Sequence, residues 1–229
     1  MKLCIALDLP SKQENLTLIK SLAYLNSALW LKVGLRSFLR DGREFLLDIK
    51  EIGDFKLFLD LKLYDIPNTM CDAFSEIASL GINMMTIHAS SGLEAMQALA
   101  KQKNKDKNSP LILAVSALTS FDDKGFMSVY NAKIDSHALH LARLAYEGGV
   151  DGVVCSCFEV ENIKAQTHKN FITLTPGIRP FGESSGDQKR VADIAMAKRV
   201  GSDFIVIGRP IYQSSDPKAV VECILESMD

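Results

Sequence analysis

The sequence predicts a (β/α)8 barrel, and three observations predict it. Eight short apolar, β-rich runs recur along the chain, and their near-continuous hydrophobicity suits parallel strands covered on both faces. Stretches with apolar residues at helical spacing lie between them, the alternation of a parallel sheet wrapped by helices. The length of 229 residues is typical of one such barrel. An open, doubly wound sheet is the structural rival. No composition shift or Pro/Gly/Ser-rich linker divides the chain, so residues 1–229 read as one domain.

The elements follow in order. LCIALDL, near 3–9, is the first strand, and SKQENLTLIKSLAYL after it has helical spacing. ALWLKVG (28–34) and KLFLDLKL (56–63) supply the second and third strands. The helix-like NTMCDAFSEIASLG then closes on Gly81, a plausible C-cap. NMMTIHA (83–89) is the fourth strand, followed by the helix-like SGLEAMQALAKQK. Its tail enters KQKNKDKNSP (101–110), where Asp106 interrupts the basic run and no aromatic interleaves it. That segment reads as a solvated helix end and loop rather than a nucleic-acid patch. LILAVSAL (111–118) is the fifth strand, and DSHALHLARLAYEGG is a helix ending in two glycines. GVVCSCF (152–158), FITLTPGI (171–178) and DFIVIGRP (203–210) complete the eight.

Hydrophobic residues make up 47% of the chain and charged residues 24%, an ordinary globular composition. The 26 basic and 28 acidic residues nearly cancel. No global field therefore favours nucleic acid or an anionic membrane, and an anionic ligand must be captured locally. The five cysteines (Cys4, Cys71, Cys155, Cys157, Cys223) are odd in number with no C-x-x-C spacing, which predicts reduced thiols rather than zinc or a disulfide framework. MKLCIALDLP acquires Asp8 too early for a signal peptide, and no apolar run approaches the ~20 residues that cross a bilayer. A cytoplasmic protein is expected, without nucleic-acid or membrane partners.

The third strand ends in FLDLKLYDIPNT, residues 58–69. Residues two apart in a strand share a face, so Asp60 and Lys62 fall on one side near the C-terminal end, where barrel active sites are built. Lys32 occupies the matching end of the second strand, Asp8 that of the first, and Asp65 follows in the loop before Pro67. Buried charges are costly unless paired. A single Lys–Asp pair would read as a structural ion pair fixing register. The alternating set at one rim reads as chemistry, with each ammonium held charged by flanking carboxylates. The set is not a natural metal cage, so neither metal nor cofactor is expected.

VIGRPI at the eighth strand offers Gly208 and the backbone before a helix as an anion site, with Arg209 adding a fork of donors. A glycine turn with a surface arginine is the plain alternative. TPGIRPFGESSGDQKR is a long Gly- and Ser-containing loop suited to a lid. His137 and His140 are spaced i, i+3 without an acidic or cysteine partner, which reads as a helix surface. His88 lines the barrel mouth or is a structural histidine, and Cys155 and Cys157 share a strand face without an activating neighbour.

D-L-K-L-Y-D-I-P-N-T, residues 60–69, closely resembles the signature of the orotidine 5′-phosphate decarboxylase family. Asp8, the LKVG lysine, LTS after the fifth strand, TPGIRP, GDQKR and IGRPI follow in that family's order, so the resemblance covers essentially the whole chain. The chain departs from the pattern at Tyr64, where the family usually has His. The resemblance implies decarboxylation of orotidine 5′-phosphate to UMP and CO2, the last step of de novo pyrimidine nucleotide synthesis. It implies a metal-free, cofactor-free barrel homodimer with Lys32, Asp60, Lys62 and Asp65 as the charged network. Lys62 would stabilise and then protonate a C6 carbanion. Asp65 and Ile66 would reach the neighbouring subunit's site. Arg179 and Gln188 match phosphate-gripping positions beside Gly208 and Arg209. Thr119 and Ser120 would meet the pyrimidine, and Asp8 and Thr69 the ribose or its surroundings.

Two other functions remain open at this point. A Mg2+-dependent decarboxylase of the 3-keto-gulonate 6-phosphate type has a similar D-x-K-x-x-D motif, but more often carries an acidic ligand where LKVG has its lysine. A non-catalytic nucleotide-binding barrel shares the fold, yet would bear the cost of the charged network without its chemical return.

Overall fold

The computed structural model describes residues 1–182 and 189–228. Its strands are β1 (Lys2–Ala6), β2 (Trp30–Gly34), β3 (Lys56–Leu63), β4 (Met84–His88), β5 (Leu111–Val115), β6 (Gly152–Val154), β7 (Ile172–Thr175) and β8 (Phe204–Ile207). They pair in sequence order, all parallel, and β8 returns to β1. The sheet is closed, which excludes the doubly wound rival. Each expected apolar run contains one strand.

The helices are α1 (Lys12–Ser21), α2 (Leu35–Ile52), α3 (Pro67–Ser79), α4 (Leu93–Lys103) and α5 (Asp123–Tyr130). After them come α6 (Ile134–Glu147), α7 (Val160–Gln166), α8 (Ile194–Arg199), α9 (Arg209–Tyr212) and α10 (Pro217–Met228). Ser11 caps α1 through a reciprocal bond with Glu14, which satisfies two otherwise orphaned backbone donors. The helix stops at Ser21 and the chain continues as a 3-10 turn over Ala23–Ala28, so the helical spacing overshoots by one short segment. Pro67 opens α3, where its missing N–H is harmless. Beyond α4, residues 104–108 are exposed, as expected of a solvated loop.

Alternation along the strands divides the core in two. Odd positions such as Leu3, Ile5, Leu57 and Leu59 pack outward beneath the helices. The intervening set, including Cys4, Ala6, Phe58, Met84, Leu113, Leu174 and Val206, fills the barrel. At the N-terminal end Trp30 meets Phe204 edge-on at 5.1 Å. The Lys2 ammonium lies over both rings at 5.9 and 5.3 Å, closing that end. Between β6 and β7, a Cβ on Gly152 would collide with the Ile172 carbonyl oxygen, so only glycine lets these strands approach. With the lower barrel packed solid, the side chains above Phe58 on the inner face must meet at the C-terminal rim.

Candidate active site

β1, β2 and β3 deliver charged groups to that rim. Asp8 lies two residues beyond β1, Lys32 in β2 and Asp60 in β3. Lys32 Nζ stands 3.4 Å from the Asp8 carboxylate and 3.7 Å from that of Asp60. Lys62 Nζ donates to both Asp60 oxygens at 2.8 Å. The charges therefore alternate in one chain: Asp8, Lys32, Asp60, Lys62. Gly34 makes room for it, since a Cβ there would stand 2.9 Å from Lys32 Nζ and 3.4 Å from Asp8 Oδ1.

Simple strand alternation accounts for Asp60 but not for how Lys62 reaches it. The register against β4 shifts between Leu59 and Leu63, and Lys62 has a left-handed backbone, φ 52°. Such a conformation costs a non-glycine residue about 1–3 kcal/mol and persists only when its surroundings hold it. Thr86 holds it. Its hydroxyl accepts from the Lys62 backbone N–H at 3.0 Å and donates to Asp60 Oδ1 at 2.8 Å. The sequence reading missed Thr86. The available signal was its place between Met84 and His88 on the inward face of a strand.

Burial opposes ionisation of Asp60, but Lys32, Lys62 and the hydrogen bonds from Lys62 and Thr86 outweigh it and hold its carboxyl below the usual carboxylate range. Burial likewise opposes charge on Lys32, and Asp60 and Asp8 more than compensate, raising its ammonium above the ordinary lysine value. The pair stays ionised at neutral pH.

The network forms one side of a cleft of about 550 Å³ at the C-terminal rim. Asp8, Lys32, Asp60, Lys62, Thr119, Ser120, Arg179, Gly208 and Arg209 line it, together with Arg36 and Tyr212, which the sequence reading missed. Arg179 is buried, and its guanidinium donates to the Ile178 carbonyl at 3.1 Å. Gly208 keeps the end of β8 against β1, since a Cβ there would stand 3.2 Å from both the Ala6 Cβ and the Tyr212 ring. The β7–α8 loop is anchored at each described end. Arg179 N bonds the Ala192 carbonyl at 2.8 Å, and Lys189 N the Thr119 carbonyl at 3.1 Å. Arg190 pairs with the buried Glu159. Gln188 and the centre of the expected lid lie outside the described residues.

Three expected site residues do not line this chain's cleft. Asp65 is exposed and accepts from the Ile66 N–H at 2.7 Å. Ile66 is 66% exposed, and Thr69 is exposed on the first turn of α3. Tyr64 packs its ring 5.8 Å from that of His88. Burial and the nearby Lys62 lower the His88 pKa, keeping it neutral at pH 7. Its Nδ1 has no hydrogen-bond partner among the described residues. His137 is more than a surface residue: it packs on Phe126 at 5.6 Å and Tyr130 at 5.0 Å.

Fold and cleft together define a closed (β/α)8 barrel with a Lys/Asp network at its C-terminal mouth and with Arg179 and Arg209 supplied after β7 and β8. The chain belongs to the Orotidine 5'-phosphate decarboxylase / HUMPS family, whose model matches residues 1–224. It is similar to the orotidine 5'-phosphate decarboxylase of a Nitratiruptor species, 60% identical over 229 residues and 100% of each chain. The Wolinella succinogenes protein of that name is 58% identical over the same length, again covering 100% of both. Among solved structures, orotidine 5'-phosphate decarboxylase from Lactobacillus acidophilus matches with a TM-score of 0.85 and 32% identity, over 100% of this chain and 99% of that one. No described helix is long and apolar enough to cross a membrane.

Proposed function

We propose that this chain decarboxylates orotidine 5′-phosphate to UMP and CO2, acting as a single barrel domain in the cytoplasm. The observation that carries the reading is the Lys62 ammonium, fixed by both Asp60 oxygens at 2.8 Å in a cleft that Arg179 and Arg209 also line. Loss of CO2 breaks the C6–carboxylate bond and leaves its electron pair on C6, in the ring plane, where the ring carbonyls delocalise it poorly. A preorganised ammonium beside C6 stabilises that charge as it develops and donates a proton to C6. Lys62 then regains a proton from solvent.

The remaining groups divide the work of binding. Arg179, Gly208 and Arg209 hold the phosphate with Gln188, while Thr119 and Ser120 meet the pyrimidine and Asp8 the ribose. Phosphate binding far from C6 supplies energy that orders the site around the reacting ring. Asp65, Ile66 and Thr69 act across a two-fold homodimer axis in the neighbouring site. What supports this is their joint exposure on one segment beside the cleft mouth. Free cysteines at all five positions suit the cytoplasm.

The Mg2+-dependent sugar-phosphate reading needs converging carboxylates, and among the described residues no three His, Cys, Asp or Glu side chains form such a group. Purified protein should lower the near-ultraviolet absorbance of orotidine 5′-phosphate at the same rate with and without a chelator. Strict dependence on Mg2+ would favour the sugar-phosphate reading, and UMP binding without turnover would favour the nucleotide-binding barrel.

A further inference from the structure

Among the described residues the cleft is lined by five cationic side chains, Arg36 among them, against the carboxylates of Asp8 and Asp60. That is an excess of three positive charges in a chain whose formal net charge is −2. A concave site of one sign within low-dielectric walls focuses the field and speeds the encounter with an oppositely charged ligand. Lys32 and Lys62 are engaged by Asp8 and Asp60, so they add little to the outward field. Arg36 differs. It is exposed at the mouth, and its Nη1 donates to the Asp8 backbone carbonyl at 3.2 Å, an anchor that leaves the charge uncancelled. No carboxylate lies within ion-pair distance of it among the described residues. Arg40, one turn further along α2, is by contrast paired with Asp41 at 2.6 Å.

The position of Arg36 also runs against a local rule. It is the second residue of α2, whose first turn contains no acidic residue. A cation at the positive end of a helix dipole is weakly disfavoured there and adds its charge to that of the dipole. The helix dipole does not favour a cation at this point, whereas an anion approaching the cleft does.

We propose that Arg36 is a substrate-capture residue. Its guanidinium draws the trianionic orotidine 5′-phosphate into the cleft and acts on association rather than on the decarboxylation step. The inference rests on the function proposed above, which supplies the trianion. One unit charge about 10 Å from a trianion in water, screened at ~0.01 M ionic strength, changes the encounter by about four- to fivefold; at ~1 M the effect falls close to unity.

The test is kcat and kcat/KM for the wild type, Arg36→Gln and Arg36→Lys across a KCl series. Arg36→Gln is expected to lose about four- to fivefold in kcat/KM at ~0.01 M ionic strength, to converge on the wild type near 1 M, and to keep its kcat. Arg36→Lys should restore the salt slope. A parallel fall in kcat, a loss of equal size at every salt concentration, or unchanged kinetics would each overturn the inference alone. Absence of turnover in the wild type would overturn the decarboxylase reading, and the inference with it.

Discussion

Replacing Thr86 with valine removes one hydroxyl and leaves the volume of the side chain almost unchanged. Thr86 is fully buried, so neither a cavity nor a new solvent contact complicates the comparison. Two interactions disappear: the bond donated to Asp60 at 2.8 Å and the bond accepted from the Lys62 N–H at 3.0 Å. A hydrogen bond to a charged group contributes roughly 1.5–3 kcal/mol, and an unsatisfied buried donor costs roughly 1–3 kcal/mol. Lys62 is only half-buried, so water recovers part of the second amount, and a total loss of about 2–4 kcal/mol is expected. Without that bond the left-handed Lys62 backbone also loses its support, and the ammonium shifts relative to Asp60. Turnover should then fall at least about tenfold, corresponding to about 1.4 kcal/mol in the barrier, while affinity for UMP stays near the wild-type value. Urea unfolding at fixed pH and steady-state decarboxylation read the two effects, and Thr86→Ser, which keeps the hydroxyl, should restore both. A Thr86→Val protein with stability within ~0.5 kcal/mol of the wild type and an unchanged kcat would refute this account of how Lys62 is held.

Lys62→Ala should retain its fold and its UMP binding while losing nearly all turnover, because the role proposed for the lysine lies chiefly in the transition state; near-normal turnover would remove it from the catalytic role. Asp60 has a folded-state pKa below the ordinary 3.8, so its contribution to stability is complete above that value and is lost as the pH falls through the lower folded-state pKa. Asp60→Asn should accordingly show a shallower loss of stability than the wild type below about pH 4, and acid unfolding curves of equal slope would contradict this. Asp65→Asn and Lys32→Ala homodimers should each be severely impaired, yet co-refolding them should give about half heterodimers and so about a quarter of wild-type sites. Verified heterodimers as inactive as their parents would mean that Asp65 serves its own subunit.

The barrel was legible because each strand is an apolar run that ends where a helical period begins. LCIALDL and FITLTPGI carry that boundary in their own residues. The charged rim was legible for the same reason: Asp8, Lys32 and Asp60 stand at the ends of such runs, and strand ends of one polarity meet at one mouth. Lys62 is set beside Asp60 by strand alternation, as in the structure, but for an incomplete reason. Its left-handed backbone follows from a register shift between β3 and β4, which is a property of two strands and not of KLFLDLKL alone. Thr86 went unread because a threonine among Met84, Met85 and Ile87 is an ordinary strand residue until the facing strand puts Asp60 beside it. Arg36 went unread because a surface arginine on a helix has no signature, and only closure of the barrel brings the first turn of α2 to the mouth. Asp65, Ile66 and Thr69 present a different problem, since their proposed surroundings belong to a second chain.

The distribution of charge in the cleft suggests why the Lys/Asp network balances within itself. Asp8, Lys32, Asp60 and Lys62 form an alternating series with no formal net charge, each member stabilised by its neighbours. An ion pair in which both members are satisfied holds its geometry, whereas removal of one member leaves a buried charge uncompensated at a cost of about 3–5 kcal/mol. The two Asp60 oxygens at 2.8 Å thus hold the Lys62 ammonium in place before any ligand arrives, so little reorganisation is needed as charge develops at the carbon proposed to react. Among the described residues that line the cleft, Arg36, Arg179 and Arg209 are the cations outside that series, with Arg36 and Arg209 adjoining the β1–β2 and β8 ends. Cations of that kind can attract and hold a phosphate without changing the balance around Lys62. An arginine inserted into the alternating series would add affinity but would also compete for Asp60. In the function proposed above, the arrangement therefore separates the cations that would capture the anion from the ammonium that would protonate its C6.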